Sequence, residues 1–181
     1  MTFNDKVFFS MLFILGIGIS CGAFFEVYME GAGKEQLMQI LSLFFNNGAS
    51  SGFFSSLAKN LFNWLLMLLI PFAVIYLPPL VFFCPFIPFI KGLSLGFSAT
   101  MLVEVFGLKG GFYIAATLLP QNIIQIPVLC YLIALSIISA RSKNRKALHQ
   151  DARQYYINYF IGCIFIIISC LLESVLMQLI L

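Results

Sequence analysis

Six polar side chains in otherwise apolar stretches are the residues best able to do chemistry in this sequence. They are Lys91, Glu104, Gln121, Asn122, Gln125 and Glu173. Charged groups are costly in hydrocarbon, so those in membrane spans usually face a bundle interior or a watery cavity. Glu173 interrupts an apolar run, and we expect it to be buried in the bundle or at a dimer seam, either protonated or hydrogen-bonded to a partner such as Gln125. Glu104 lies near the outer end of its apolar segment, where it is as readily explained by a position at the membrane interface as by a functional role.

Two prolines flank the polar residues of the segment 119–127. Gln121 and Gln125 are four residues apart and share a helix face, while Pro120 and Pro127 would free backbone carbonyls on one side. Such broken helices are tolerated where the freed groups meet other helices or water. The pattern favours a structural kink with interhelical hydrogen bonds, and it leaves open a ligand or ion site of the kind that transporters build.

Residue patterns of common catalytic and metal sites are missing. The segment 107–111 lacks the rest of a nucleotide-binding glycine loop, the one histidine is His149, and no Ser–His or Cys–His pairing is indicated. The five cysteines lie in apolar segments without Cys-x-x-Cys spacing, so we interpret them as small packing residues. We therefore predict no enzyme activity, no metal and no cofactor.

The elements that position these residues must be membrane helices. Residues 61–140 carry three formal charges, and the whole chain is 61% hydrophobic and 9% charged, whereas soluble domains average about 25% charged. A spanning helix needs only about 20 apolar residues. We predict an all-α, polytopic membrane helix bundle that forms one integral membrane domain over 1–181. It has about five transmembrane helices, outer-face amphipathic helices and a Pro-broken fourth span.

The predicted spans follow from the apolar runs. They are 7–25, 57–76, 81–106, 111–140 and 156–181, with an outer amphipathic segment at 26–60. We interpret the first as a retained span, because no convincing cleavage signature follows it. A re-entrant piece at 82–90 is the main alternative to this count.

The basic loop 141–153 sets the orientation. It carries five Lys and Arg residues opposed by Asp151, so the positive-inside bias places it in the cytoplasm. The N-terminus is then cytoplasmic, and the C-terminus and the segment 26–60 are outside. We interpret the basic charges as setting topology and expect no nucleic-acid partner.

The outer segment has an amphipathic pattern. Leu37, Ile40, Leu41 and Phe44 follow helical spacing, which predicts a helix over 34–45. Four aromatic residues flank the break that follows, Phe44, Phe45, Phe53 and Phe54. They are interpreted either as an interfacial anchor in membrane lipid or as a docking patch for partners outside the cell, and the two roles are compatible.

Small residues recur every four positions in two spans. Gly18 and Gly22 form one pair, and Gly92 and Gly96 form another. Small residues at this spacing let helix backbones approach closely in a membrane. The pattern favours packing within the chain, with a homodimer face as the alternative.

The Pro-flanked segment resembles the stage II sporulation protein M family. Many of its wider members show Pro-His-Gly, two apolar residues, then Glu, an apolar residue and Pro or Ala. Here Gln121 stands at the His position, Asn122 at Gly and Gln125 at Glu. The order of elements also agrees over most of the chain. If the wider family uses that His and Glu for transport or metal binding, this chain is expected not to.

The resemblance implies a multi-pass engulfment scaffold of endospore-forming bacteria, with a peptidoglycan amidase and a lytic transglycosylase as partners. The expected place is the septal or engulfing membrane. We predict a membrane scaffold, as a homodimer, that recruits and localises wall-degrading enzymes through its outer segment. The alternative is a small-solute or ion transporter with a site at the broken fourth helix.

Overall fold

The described part of the protein consists of helices joined by short turns, without strands. In the computed structural model, the described residues are 3–47, 53–74, 77–141 and 148–180. The elements are α1 (Phe3–Val27), α2 (Ala32–Asn47), α3 (Phe53–Ala73), a 3₁₀ segment (Pro78–Phe83), α4 (Phe86–Phe106), α5 (Leu108–Tyr113), a π-helical turn (Ile114–Leu118), α6 (Leu119–Arg141) and α7 (Leu148–Ile180). A helix pairs its own backbone groups, as a hydrocarbon environment demands. The predicted all-α class is confirmed.

Among the described residues, four helices are long and apolar enough to cross a membrane. They cover Asp5–Val27, Pro79–Phe106, Asn122–Ala140 and Tyr155–Val175. The predicted count of five is not confirmed. The predicted span 57–76 falls on α3, whose apolar part, Asn60–Ala73, is shorter than the other four. The polar residues at the start of α3, which include Ser55, Ser56 and Lys59, lie outside this apolar part.

α1 and α4 lie side by side and run in the same direction. A Cβ added at Gly18 would overlap the Phe89 carbonyl oxygen, and one at Gly22 would overlap that of Leu93. Gly96 meets α1 in the same way. Contacts advance together along both helices, which makes the pair parallel. The chain between Val27 and the start of α4 must therefore return to the end of the bundle where α1 begins.

α6 and α7 form the centre of the bundle with α3. Leu129, Leu132 and Ile133 of α6 are fully buried, and they share one core cluster with side chains of α1, α3, α4 and α7. The contacts Asn60–Glu173 and Leu68–Tyr159 make α3 antiparallel to α7. Pairing of Ser136 with Tyr155 and of Gln125 with Cys170 makes α6 antiparallel to α7 as well.

The helix that follows α5 is interrupted by the π-helical turn rather than at its prolines. The Leu119 N–H donates to the Ile114 carbonyl, five residues back, and Pro120 follows at once. Pro127 lies inside α6, which is helical on both sides of it. The predicted break at the two prolines is therefore not confirmed. Widening the turn before Pro120 accommodates the missing N–H without ending the helix.

Candidate functional site

Three helices bring charged residues together at one end of the bundle. α1 and α4 finish there, and α2 begins there after a turn at Gly31, whose φ of +101° suits glycine. The Lys34 Nζ lies 2.8 Å from Glu104 Oε2 and 3.3 Å from Glu26 Oε1, and it donates to the Glu26 carbonyl at 3.3 Å. We call these three residues the Lys34 cluster. It ties α2 to the ends of α1 and α4.

Glu26 is the unusual member of the Lys34 cluster. Its side chain is 1% exposed, against 41% for Glu104. Within the described part of the chain, neither Glu26 carboxylate oxygen makes a hydrogen bond of normal geometry, although Oε1 is at ion-pair distance from Lys34. Hydrogen bonding to Glu104 raises the pKa of Lys34 above its usual lysine value, which keeps the ammonium charged.

The rest of α2 makes few contacts with the other helices of the bundle. Leu37, Ile40 and Leu43 have exposed side chains, and the described buried core takes its residues from the other long helices. Three apolar side chains on one face of a helix, left uncovered by their own chain, form a surface that lipid or a partner can cover. The Lys34 cluster is thus a main attachment of a helix whose apolar side remains available.

The four phenylalanines predicted as the docking patch cannot be placed by their side chains. Phe44 and Phe45 belong to α2, and Phe53 and Phe54 begin α3. Their side chains lie outside the described residues, as do the side chain of Gln121 and the loop 48–52 that separates α2 from α3. Their assignment to partner binding stays a prediction.

A second polar group lies at membrane depth between α3, α4 and α7. The Asn60 amide donates to the Glu173 carboxylate in a short contact, and the Lys91 Nζ lies 4.0 Å from the centroid of the Trp64 ring. Glu173 also attracts Lys91 electrostatically. We call these four residues the Glu173 cluster. The Trp64 ring and the nearby Glu173 carboxylate both attract the Lys91 ammonium, which offsets part of the cost of holding this charge away from water.

Two amide side chains of α6, those of Gln125 and Asn122, contact groups other than the Glu173 carboxylate. Gln125 is 2% exposed, and its Nε2 lies 4.0 Å from Cys170 Sγ, one turn from Glu173. Asn122 is buried and donates to the Leu118 carbonyl at 2.6 Å, inside the π-helical turn. The structure therefore gives Glu173 a hydrogen bond from Asn60 where we expected Gln125. Gln125 instead contacts the residue that precedes Glu173 by one helical turn.

Two buried tyrosines of α7 hold the other half of α3. The Tyr159 hydroxyl donates to the Leu68 carbonyl at 2.5 Å, and the Tyr155 hydroxyl reaches the Pro71 carbonyl at 3.5 Å and Ser136 Oγ at 3.0 Å. Pro71 has no N–H and leaves the Met67 carbonyl, four residues back, without its helical donor. The tyrosines donate to two other carbonyls in the same part of α3 and attach it to α7; sequence patterns alone did not single them out.

A model of the stage II sporulation protein M family matches residues 10–176. The chain belongs to this family. No curated protein and no solved structure matches it. The match runs from the third turn of α1 to nearly the end of α7, so this family member is matched over almost its whole bundle, including both polar clusters. The resemblance inferred from the segment 119–127 is confirmed, and the protein is a sporulation-related membrane protein.

Proposed function

We propose that this family member is a scaffold that recruits and localises peptidoglycan-degrading enzymes during engulfment. The observation that carries the proposal is the uncovered apolar face of α2, formed by Leu37, Ile40 and Leu43. Exposed apolar patches of this kind commonly mark interaction surfaces. The partner classes, an amidase and a lytic transglycosylase, come from the family resemblance.

The proposal requires α2 to lie on the wall side of the membrane. The basic loop 141–153 favours a cytoplasmic start of α7, and α7 runs antiparallel to both α3 and α6. The parallel α1 and α4 require a return crossing between them. α3 has 21 residues, which rise about 30 Å as a helix, enough for that crossing. These observations support five crossings, with the N-terminus inside and α2 outside.

A homodimer remains part of the proposal, with a changed contact surface. The glycines 18, 22, 92 and 96 lie against the neighbouring helix of the same chain. Their faces are therefore occupied, and a second copy would have to bind elsewhere on the bundle. Blue native electrophoresis and cross-linking of the detergent-solubilised protein would establish whether one or two copies are present.

The docking role is tested by removing apolar area from α2. Leu37→Ser, Ile40→Ser and Leu43→Ser together should leave insertion and abundance near normal, because the spans supply the insertion energy. Recovery of the wall hydrolases with the affinity-purified protein should fall at least tenfold, since a few apolar side chains often dominate an interface. A second set, Phe44, Phe45, Phe53 and Phe54 each changed to Ser, extends the test to the predicted patch.

The matched control changes the polar side of the same helix. Glu35→Ala keeps the helix and its apolar face, because Glu35 lies on the opposite side of α2 from Ile40, so hydrolase recovery should stay at the wild-type level. Normal recovery and normal engulfment in both apolar variants would show that α2 is an interfacial anchor in lipid. Recruitment would then have to run through another part of the protein.

The Glu173 cluster supports a second candidate function, a small-solute or ion transporter. It places Lys91 and Glu173 at membrane depth, near Gln125 of the Pro-flanked segment. Proteoliposomes containing the purified protein should then show flux of ions or small solutes above empty vesicles. That flux should disappear in Lys91→Met, whereas a scaffold with a purely structural cluster would show none in either protein.

A further inference from the structure

The Lys34 cluster has the composition of a small cation site. Three oxygen atoms from two helices converge on one ammonium nitrogen at 2.8–3.3 Å, namely two carboxylate oxygens and the Glu26 main-chain carbonyl. An ammonium group has three N–H donors and no acceptor; here the Glu26 main-chain carbonyl accepts one hydrogen bond, and the two carboxylate oxygens lie at ion-pair distance. The donors belong to α1 and α4, whereas the ammonium arrives from α2.

The buried carboxylate gives independent evidence for a site that needs a cation. Glu26 is fully buried as a residue, and its carboxylate oxygens lack hydrogen bonds of normal geometry within the described residues. A buried ionised group is costly unless it is paired. Glu26 is therefore set up to hold a positive group at this point, whichever molecule supplies it.

The α1–α4 pair holds these oxygens in place without help from α2. Gly22, one turn before Glu26, lies directly against the backbone of α4. The carboxylates thus sit at the ends of two helices that are locked together by close packing. α2, in contrast, leaves Leu37 and Ile40 exposed. The rigid part of the cluster is the oxygen cage, and the removable part is Lys34.

We propose that Glu26 and Glu104 form an ammonium-binding site at the outer end of the α1–α4 pair, and that Lys34 is its resident ligand. α2 is then held by an exchangeable group. A competing primary ammonium would free α2 without unfolding the bundle. The other charged residues described at this end, Glu30, Glu35 and Lys109, are exposed. The consequence for docking rests on the proposed function, whereas the site itself does not.

The test empties the site and refills it from solution. Lys34→Ala removes the resident ammonium, and its apparent melting temperature in detergent should rise by about 2 °C, saturably, on addition of methylammonium chloride. Tetramethylammonium chloride and sodium chloride at the same ionic strength should give no such rise, because neither cation offers N–H donors. The wild type should not respond at millimolar methylammonium, since Lys34 occupies its site.

Two further variants control for the oxygen donors and for folding. Lys34→Ala with Glu104→Gln should lose the methylammonium response, while Lys34→Ala with the exposed Glu35→Gln should keep it. Lys34→Met retains the apolar stem and serves if the alanine variant is poorly folded. Equal stabilisation by all three salts, or none by methylammonium in any folded Lys34 variant, would overturn the proposed site.

The release of α2 has its own readout. Paired spin labels at Gln36 of α2 and Val103 of α4 should report a longer and broader distance distribution in Lys34→Ala than in wild type. Methylammonium refills the site without tethering α2, so it should not restore the short distance. An unchanged distance would show that Lys34 does not hold the helix. Neither readout uses a partner enzyme, so a failure here is separable from a failure of the scaffold proposal.

Discussion

Two helix pairs in this bundle are held together by different means. α1 and α4 meet backbone to backbone at glycines, with Gly22 against Leu93 and Gly96 against Ile19. α3 and α7 meet through polar side chains, with Asn60 bonded to Glu173 and Tyr159 bonded to a carbonyl of α3. Membrane helices associate through both close packing and interhelical hydrogen bonds. Here close glycine packing makes α1 and α4 a rigid pair. Hydrogen bonds from side chains attach α3, whose apolar part is short, to α7.

We expect the glycine-packed α1–α4 pair to tolerate substitutions less well than the α3–α7 pair. A Cβ at Gly22 or Gly96 would overlap a main-chain oxygen of the facing helix, which no rotamer change can relieve. Gly22→Ala and Gly96→Ala should each lower the free energy of unfolding in detergent by about 1–3 kcal/mol. Gly16→Ala is the matched control, because a Cβ there meets nothing within 4 Å. Equal stability of all three variants would mean that α1 and α4 can separate freely.

The stability of the α3–α7 pair should fall in proportion to how many interactions of Glu173 a substitution removes. Glu173→Leu removes the acceptor of the Asn60 amide and the negative charge beside Lys91, so it should cost about 1–3 kcal/mol in unfolding free energy. Glu173→Gln keeps an acceptor oxygen and should cost less than half of that. Thermal unfolding of both variants in one detergent provides the measurement. A larger loss in the Gln variant would mean that the negative charge matters more than the hydrogen bond.

A smaller effect is expected at the tyrosine that supports the Pro71 region. Tyr159→Phe deletes one hydroxyl donor while keeping the ring, so it should cost about 0.6–1 kcal/mol. Tyr131→Phe, on an exposed ring of α6, should cost nothing measurable by the same unfolding experiment. If the two variants lose equal stability, the bond to the Leu68 carbonyl contributes no more than a surface hydroxyl.

The smallest effect is the pH dependence of the Lys34 cluster. The pKa of Lys34 is raised in the folded protein, chiefly by its hydrogen bond with Glu104, so its stabilising effect is complete below the usual lysine value, about 10.4. That effect is lost as pH rises through the higher folded-state pKa. The melting-temperature difference between wild type and Lys34→Met should stay constant from about pH 7 to 10 and then shrink. Lys109→Met, on exposed α5, is the control. A difference already lost by pH 9 would contradict the raised pKa.

Much of the architecture is readable from the sequence because the bilayer allows so few folds. The apolarity of residues 61–140 demands helices, and that class is confirmed. The count of five is not confirmed, because α3 is short in apolar residues and its crossing has to be argued from the directions of its neighbours. The predicted proline break is not confirmed: a π-helical turn directly precedes Pro120, and α6 continues through Pro127.

The polar clusters were harder to foresee than the helices. The sequence marks Glu104 and Glu173 as costly residues, but partners depend on which helices meet and in which register. Lys34 finds Glu104 seventy positions away because α1 and α4 are parallel and end together. Glu26 directly follows the predicted first span, 7–25, and the structure buries it. Neither result follows from hydropathy or spacing along one helix.

The parallel α1–α4 pair has a consequence for the order of events during synthesis. Gly22 and Gly92 are separated by seventy residues, and every contact of the pair waits for α4 to leave the ribosome. At about 5–20 residues per second, α1 spends several seconds in the bilayer without its neighbour. During that interval its glycine face is open to the backbone of any other nascent helix. The rate at which α2 and α3 are translated and inserted therefore sets how long α1 is open to the wrong partner.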